Sequence, residues 1–173
     1  MTGPVIRRAG PEDAAALAMI GAATFLESYA HMIRLADMLQ HVAAKSGAEA
    51  YRAFAADAGC ALWIAELPST AAPVGYAVLT PPDLPIDTDD GDIELRRIYL
   101  LSKWQGGGLG RRLIEASVAH ARAAGKRRFL IGVYSGNDGA IGFYRRMGCD
   151  LVGRRRFQVG DAVFDDLIFG MEL

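Results

Sequence analysis

Apolar and polar positions along the chain follow two rhythms. Some stretches alternate every second residue and others repeat every three to four, and the switches between them divide the sequence into elements. Residues 5–8 predict a short strand. Gly10, then Pro11 with Glu12 and Asp13, predicts a helix start, because proline suits the first helical position and acids suit the first turn. That helix continues through AALAMIGAATFLESYAH. Ile33, Leu35, Met38, Leu39 and Val42 mark a second helix, and residues 48–56 a third. CALWIAE (60–66) and VGYAVLT (74–80) read as strands joined in a hairpin across PSTAAP.

IELRRIYLL (93–101) reads as a strand. Strict alternation puts Ile93, Leu95, Arg97 and Tyr99 on one face, with Glu94, Arg96, Ile98 and Leu100 on the other. A helix over 109–124 shows a wide apolar face made of Leu109, Leu113, Ala116 and His120 beside Ile114, Val118 and Ala121. Gly125 ends it. FLIGVY (129–134) is a continuous apolar run, as expected of a buried strand. AIGFYRRMG is a short helix stopped by Gly148. Two strands follow, 150–159 and 163–171, joined in a hairpin at Gly160-Asp161. The order is mixed α/β in a single domain, residues 1–173, with one strand–helix–strand crossover that pairs its strands in parallel.

Composition narrows the class. The chain has 173 residues, 51% hydrophobic and 23% charged, with a net charge of −1. That is a soluble globular balance. It offers no bulk attraction to nucleic acid or an anionic membrane. No apolar run reaches the length of a membrane span, and the first residues lack a signal-type stretch. Cys60 and Cys149 stand far apart without ligand spacing, so two thiols in a reducing cytoplasm are expected, with no metal site. His31, His41 and His120 fall on predicted helices without metal spacing.

The chemistry centres on WQGGGLGRRL (104–113). Glycine inside a helix costs about 1 kcal/mol relative to alanine, yet this helix opens on Gly106, Gly107, Gly108 and Gly110. Bare N–H groups at a helix N-terminus bind anions, and glycines let a phosphate reach them. The pattern is neither GxxxxGK[ST] nor GxGxxG. What remains is Gln105-x-x-Gly108-x-Gly110 at the end of a strand. Arg111 and Arg112 fit the same site, since a bound anion offsets cations at a helix start.

This loop, with Asn137 in the next turn and FYRRMG at 143–148, resembles the GCN5-related N-acetyltransferases. TFLESYAH (24–31), IELRRIYLLSKWQ and FQVGDAVFDDLIFGM are similar to the bacterial polyamine (spermidine/spermine) branch. The resemblance implies a mostly antiparallel sheet with one splayed parallel pair and helices on both faces. It implies acetyl-CoA as co-substrate and an amine acceptor. Gln105 to Arg111, including Leu109, would take the pyrophosphate, with Arg146 near the phosphates. The backbone of Ile98, Tyr99 and Leu100 would take the pantetheine arm, with Asn137. Tyr144 would protonate the leaving thiolate.

Glu94 would act on the amine as general base, because a Lys-like amine is almost wholly protonated at neutral pH, or would instead bind the cation or cap the strand. Glu27, Tyr29 and His31 would line the acceptor cleft. The acids at 83, 87, 89, 90 and 92 would form either a solvated loop or an attractor for a polycation. Arg154-Arg155-Arg156 would reach phosphates or guard an exposed strand edge. A small amine or polyamine leads the acceptor list, with a protein N-terminus, a lysine or an antibiotic amine as alternatives. A CoA-binding regulator and a homodimer stay open.

Overall fold

The computed structural model describes residues 3–173. Strands β1 (Val5–Ala9), β2 (Ala61–Glu66), β3 (Pro73–Thr80), β4 (Asp92–Leu100), β5 (Arg128–Tyr134), β6 (Asp150–Val159) and β7 (Ala162–Glu172) form one sheet. Its order is β1-β2-β3-β4-β5-β7-β6. Helices are α1 (Ala14–Tyr29), α2 (Leu35–Lys45), α3 (Ala48–Ala56), α4 (Leu109–Ala123) and α5 (Asp138–Arg146). Only β4 and β5 run parallel; every other pair is antiparallel. This is the expected mixed α/β fold.

The two faces of the sheet bury different helices. Leu113, Ile114, Val118 and Ala121 of α4 pack with Ile93, Leu95, Phe129 and Ile131 on one face, beside Ile141 and Tyr144 of α5. Leu17 and Ile20 of α1 and Tyr51 of α3 pack with Leu62, Ile64, Tyr76 and Val78 on the other. The apolar stripe of α4 thus lands where its period placed it. Ser117 lies inside that stripe, and its hydroxyl donates to the Leu113 carbonyl at 2.8 Å, which satisfies the one polar group buried there.

The strict alternation expected along β4 fails halfway. Val78 pairs with Arg97, but Leu79 pairs with Leu95, so Arg96 is an extra residue, a β-bulge. The bulge flips every later side chain. Ile98 and Leu100 join Ile93 and Leu95 toward α4. Arg97 and Tyr99 move to the face of Glu94: Arg97 lies over the Tyr51 and Phe54 rings, and Tyr99 stacks on Tyr76 at 6.0 Å.

Candidate functional site

The glycine loop begins where β4 stops. A single helical turn, Ser102–Trp104, follows the strand. The Gln105 side-chain amide then donates back to the Leu100 carbonyl at 3.1 Å. Gly106 and Gly108 have φ of +77° and +81°, a left-handed conformation that side chains disfavour. Gly108 caps α4 and accepts the first helical bond, from the Arg112 N–H at 3.1 Å. The N–H groups before Arg112 therefore have no partner along the helix.

A Cβ at Gly106, Gly107 or Gly108 would meet nothing within 4 Å. These glycines are not squeezed by protein; they leave an open surface bare. Leu109 is buried against Ala65 and Val74 and anchors the loop. Arg111 is exposed beside it, whereas Arg112 turns away to the Pro4 carbonyl at 3.2 Å.

Beside this loop the sheet opens. β4 and β5 pair only at Asp92↔Arg128, Ile93↔Phe129 and Glu94↔Leu130. Beyond Glu94, β4 keeps its partner β3 on one side alone. One edge of Ile98, Tyr99 and Leu100 is thereby left to pair with something other than β5. The closed end is clamped: Arg128 donates to both carboxylate oxygens of its register partner Asp92, at 2.9 and 2.7 Å.

The α5 side brings Asn137 and Tyr144. Asn137 caps the helix, its Oδ1 accepting from the Ala140 N–H at 3.1 Å, so only its amide NH₂ remains for another partner. Tyr144 is 7% exposed and packs in the core on the α4 face. Burial, with smaller contributions from Tyr99 and Cys149, raises its pKa. The phenol stays neutral and keeps its proton to give. Arg146 is exposed, while Arg145 lies over the Phe169 ring at 5.9 Å.

The opposite face holds Glu94. It is 1% exposed. Its Oε2 accepts from the Asp83 N–H at 2.8 Å and from Arg96 at 3.3 Å. Its Oε1 lies 3.9 Å from Arg155 Nη1. Arg155 in turn donates from Nε to Asp166 at 3.0 Å. The sequence pattern offers Arg155 to phosphates or to an exposed strand edge, and it does not single out Asp166. Alternation along β6 and β7 puts both on one face, but that signal needs the strand pairing to become useful.

Of the residues expected to line an acceptor cleft, Tyr29 alone reaches this face, its hydroxyl 3.4 Å from that of Tyr99. Glu27 is committed elsewhere: its two oxygens accept from the Ser102 N–H at 2.9 Å and the Ser102 hydroxyl at 2.7 Å. His31 lies in an exposed turn after α1 and not on the helix that the pattern predicted. Three acids of the loop face arginines. Arg127 binds Asp89, Arg128 binds Asp92, and Arg96 lies 3.6 Å from Asp83.

Among the described residues no helix is long and apolar enough to cross a membrane. A similar protein is an uncharacterised N-acetyltransferase of Mycobacterium tuberculosis, 35% identical over 100 residues, which are 58% of this chain and 60% of that one. The L-methionine sulfoximine/L-methionine sulfone acetyltransferase of Pseudomonas aeruginosa is 33% identical over 70 residues, 40% of each chain. The spermine/spermidine N(1)-acetyltransferase of Bacillus subtilis is 29% identical over 77 residues, 44% of this chain and 51% of that one. The chain thus spans about 60% or less of the length of these curated relatives.

Among solved structures, the PaiA N-acetyltransferase of Thermoplasma acidophilum in complex with coenzyme A superposes with a TM-score of 0.79 at 18% identity, covering 99% of this chain and 100% of that one. The acetyltransferase (GNAT) family matches residues 28–149, a span that holds the glycine loop, the splayed strands, Asn137 and Tyr144, and the chain belongs to that family.

Proposed function

We propose that the protein transfers an acetyl group from acetyl-CoA to a small-molecule primary amine. The observation that carries this reading is the bare helix start of α4 set beside the unpaired edge of β4. The N–H groups of residues 106–111 suit the pyrophosphate, with Arg111 and Arg146 exposed near the phosphates' path. The open edge of Ile98, Tyr99 and Leu100 suits a pantetheine arm lying as an added strand, and the Asn137 NH₂ is free for its amides. The coenzyme A bound to the Thermoplasma relative supports the same choice of ligand.

The chemistry is direct transfer. The amine nitrogen attacks the thioester carbonyl carbon, the carbon–sulfur bond breaks, and the thiolate takes a proton. Tyr144, a neutral buried phenol, is the proposed donor. Glu94 is proposed as a positioning residue, because its oxygens already face one N–H and two guanidinium groups. These contacts tie its carboxylate to the Asp83 backbone, Arg96 and Arg155, so its proposed part is to hold those groups in place.

The acceptor is proposed as an amine with a single cationic head. The Bacillus relative's name points to polyamines, but three of the acids that would draw a polycation, Asp83, Asp89 and Asp92, face Arg96, Arg127 and Arg128. An open cavity of about 520 Å³ beside Glu94 is lined by Arg155 and Arg156 as well as Asp83. The two free cysteines and the acetyl-CoA requirement suit a reducing cytoplasm. The test is thiol release from acetyl-CoA over a panel of amines that includes spermidine, simple alkylamines and amino acids. Turnover with one class above the rest is expected. Tight coenzyme A binding without turnover of any amine would replace this reading with that of a CoA-binding regulator.

A further inference from the structure

Four aromatic rings line the Glu94 face in sequence of contact. Tyr99 of β4 meets Tyr29 at the end of α1 through their hydroxyls, at 3.4 Å. Tyr29 lies 6.3 Å from the Phe164 ring, and Phe164 lies edge-on to Tyr134 at 5.6 Å. All four are only half-buried, so each still offers surface. Tyr99 and Tyr134 stand on the two strands that separate beyond Glu94, and the arc spans that gap.

Asp166 lies at the foot of the arc. It is the register partner of Tyr134 and sits two residues beyond Phe164 on β7, hence on the same face. It is 5% exposed. The only hydrogen bond to its carboxylate among the described residues is from Arg155 Nε to Oδ2, and Oδ1 carries none. Arg155 reaches it by lying flat over Gly132 of β5. A Cβ there would come within 2.8 Å of the guanidinium, so the bare glycine leaves room for this close approach.

A buried carboxylate with one free oxygen, beneath aromatic faces, matches an alkylammonium. The rings attract the cation and the carboxylate takes an N–H. We infer that Asp166 receives the ammonium of the acceptor within the arc of Tyr29, Tyr99, Tyr134 and Phe164 and accepts its proton, with Arg155 holding the carboxylate in place. This rests on the acetyltransferase reading above.

One proton moves from the ammonium to Asp166 and the freed lone pair attacks the thioester; as the carbon–sulfur bond breaks, the nitrogen's second proton leaves through water and replaces the one that Tyr144 gives the thiolate. The carboxyl returns its proton to water after the product leaves. Burial raises the Asp166 pKa, against the pull of Arg155 and with a smaller push from Asp165, which moves it toward the range useful to a base. The groups facing it are Arg155 on β6, Tyr29 on α1, Tyr99 on β4 and Tyr134 on β5, with Glu94 beyond Arg155. Tyr29 and Tyr99 are both held neutral, chiefly by burial.

The experiment compares Asp166→Asn with Glu94→Gln across a pH–rate profile, using the best alkylamine of the panel. Acetyl-CoA affinity is measured by calorimetry and folding by thermal melts. Asp166→Asn should lower kcat/KM for the amine by about 10²-fold at pH 7, lose less at pH 9, where more free amine is present, and leave acetyl-CoA binding unchanged. Glu94→Gln should lose the same fraction at every pH.

Phe164→Leu, which keeps Asp166, should raise KM for the amine several-fold with kcat nearly unchanged. It tests the site if Asp166→Asn fails to fold. An Asp166→Asn enzyme that folds and turns the amine over as wild type overturns the inference while leaving the acetyltransferase reading intact. So does a Phe164→Leu enzyme with wild-type KM. A wild-type protein that binds acetyl-CoA but acetylates no amine overturns both.

Discussion

Glu27 holds Ser102 by two hydrogen bonds, one to its N–H and one to its hydroxyl. The last turn of α1 is thereby fastened to the turn that leads into the glycine loop. Glu27→Ala should therefore act on the cofactor side. We expect coenzyme A affinity to fall several-fold and KM for the amine to stay within twofold. Calorimetry with coenzyme A and steady-state kinetics check this. A selective rise in the amine KM would return Glu27 to the acceptor cleft.

Gly108 has a positive φ and an open surface above it. Gly108→Ala should cost about 1–2 kcal/mol in stability for the left-handed backbone alone. Gly108→Glu adds a negative charge where the pyrophosphate would meet the helix start, so coenzyme A binding should be lost from a folded protein. Melting curves separate the first effect, and calorimetry the second.

Tyr144 sits on the α4 face of the sheet, across from Glu94 and Asp166, and acts on the leaving group in the proposed reaction. Tyr144→Phe keeps the ring and its packing and removes only the hydroxyl that carries the proton. Its kcat should fall about 10²-fold, with acetyl-CoA affinity unchanged. Equal kcat in the variant would show that the thiolate draws its proton from water.

Asp92 and Arg128 clamp the closed end of the parallel pair. The Arg128 hydrogen bonds, chiefly, hold the Asp92 pKa below its ordinary value, against the opposing effect of burial. A depressed folded pKa adds stability that is fully present above the unfolded pKa of about 4 and is lost as pH falls through the lower folded value. Asp92→Asn should thus melt several degrees lower at pH 7, and the gap to wild type should close as the pH drops below about 4. Melts between pH 2.5 and 7 check the sign. A gap that widens in acid would rule out the clamp.

Much of this protein was legible in the chain because the deciding forces are local. Period-3.6 patterning and Gly125 bounded α4, and alternation, apolar runs and turn residues together marked all seven strands. The glycine run at 106–110 announced an anion site, since bare N–H groups at a helix start need no distant partner. Other features depended on partners far away in sequence. The bulge at Arg96 exists only in the register of β4 against β3, and it inverted the faces that alternation predicted for Arg97 to Leu100.

Glu27 looked like a cleft carboxylate until the fold brought Ser102, 75 residues away, into its reach. The meeting of Glu94, Arg155 and Asp166 depends on β7 inserting between β5 and β6. Strand order is a choice among pairings with similar local patterns. It is settled by which apolar faces close the core together, so the tertiary structure alone decided which carboxylates share the Glu94 face.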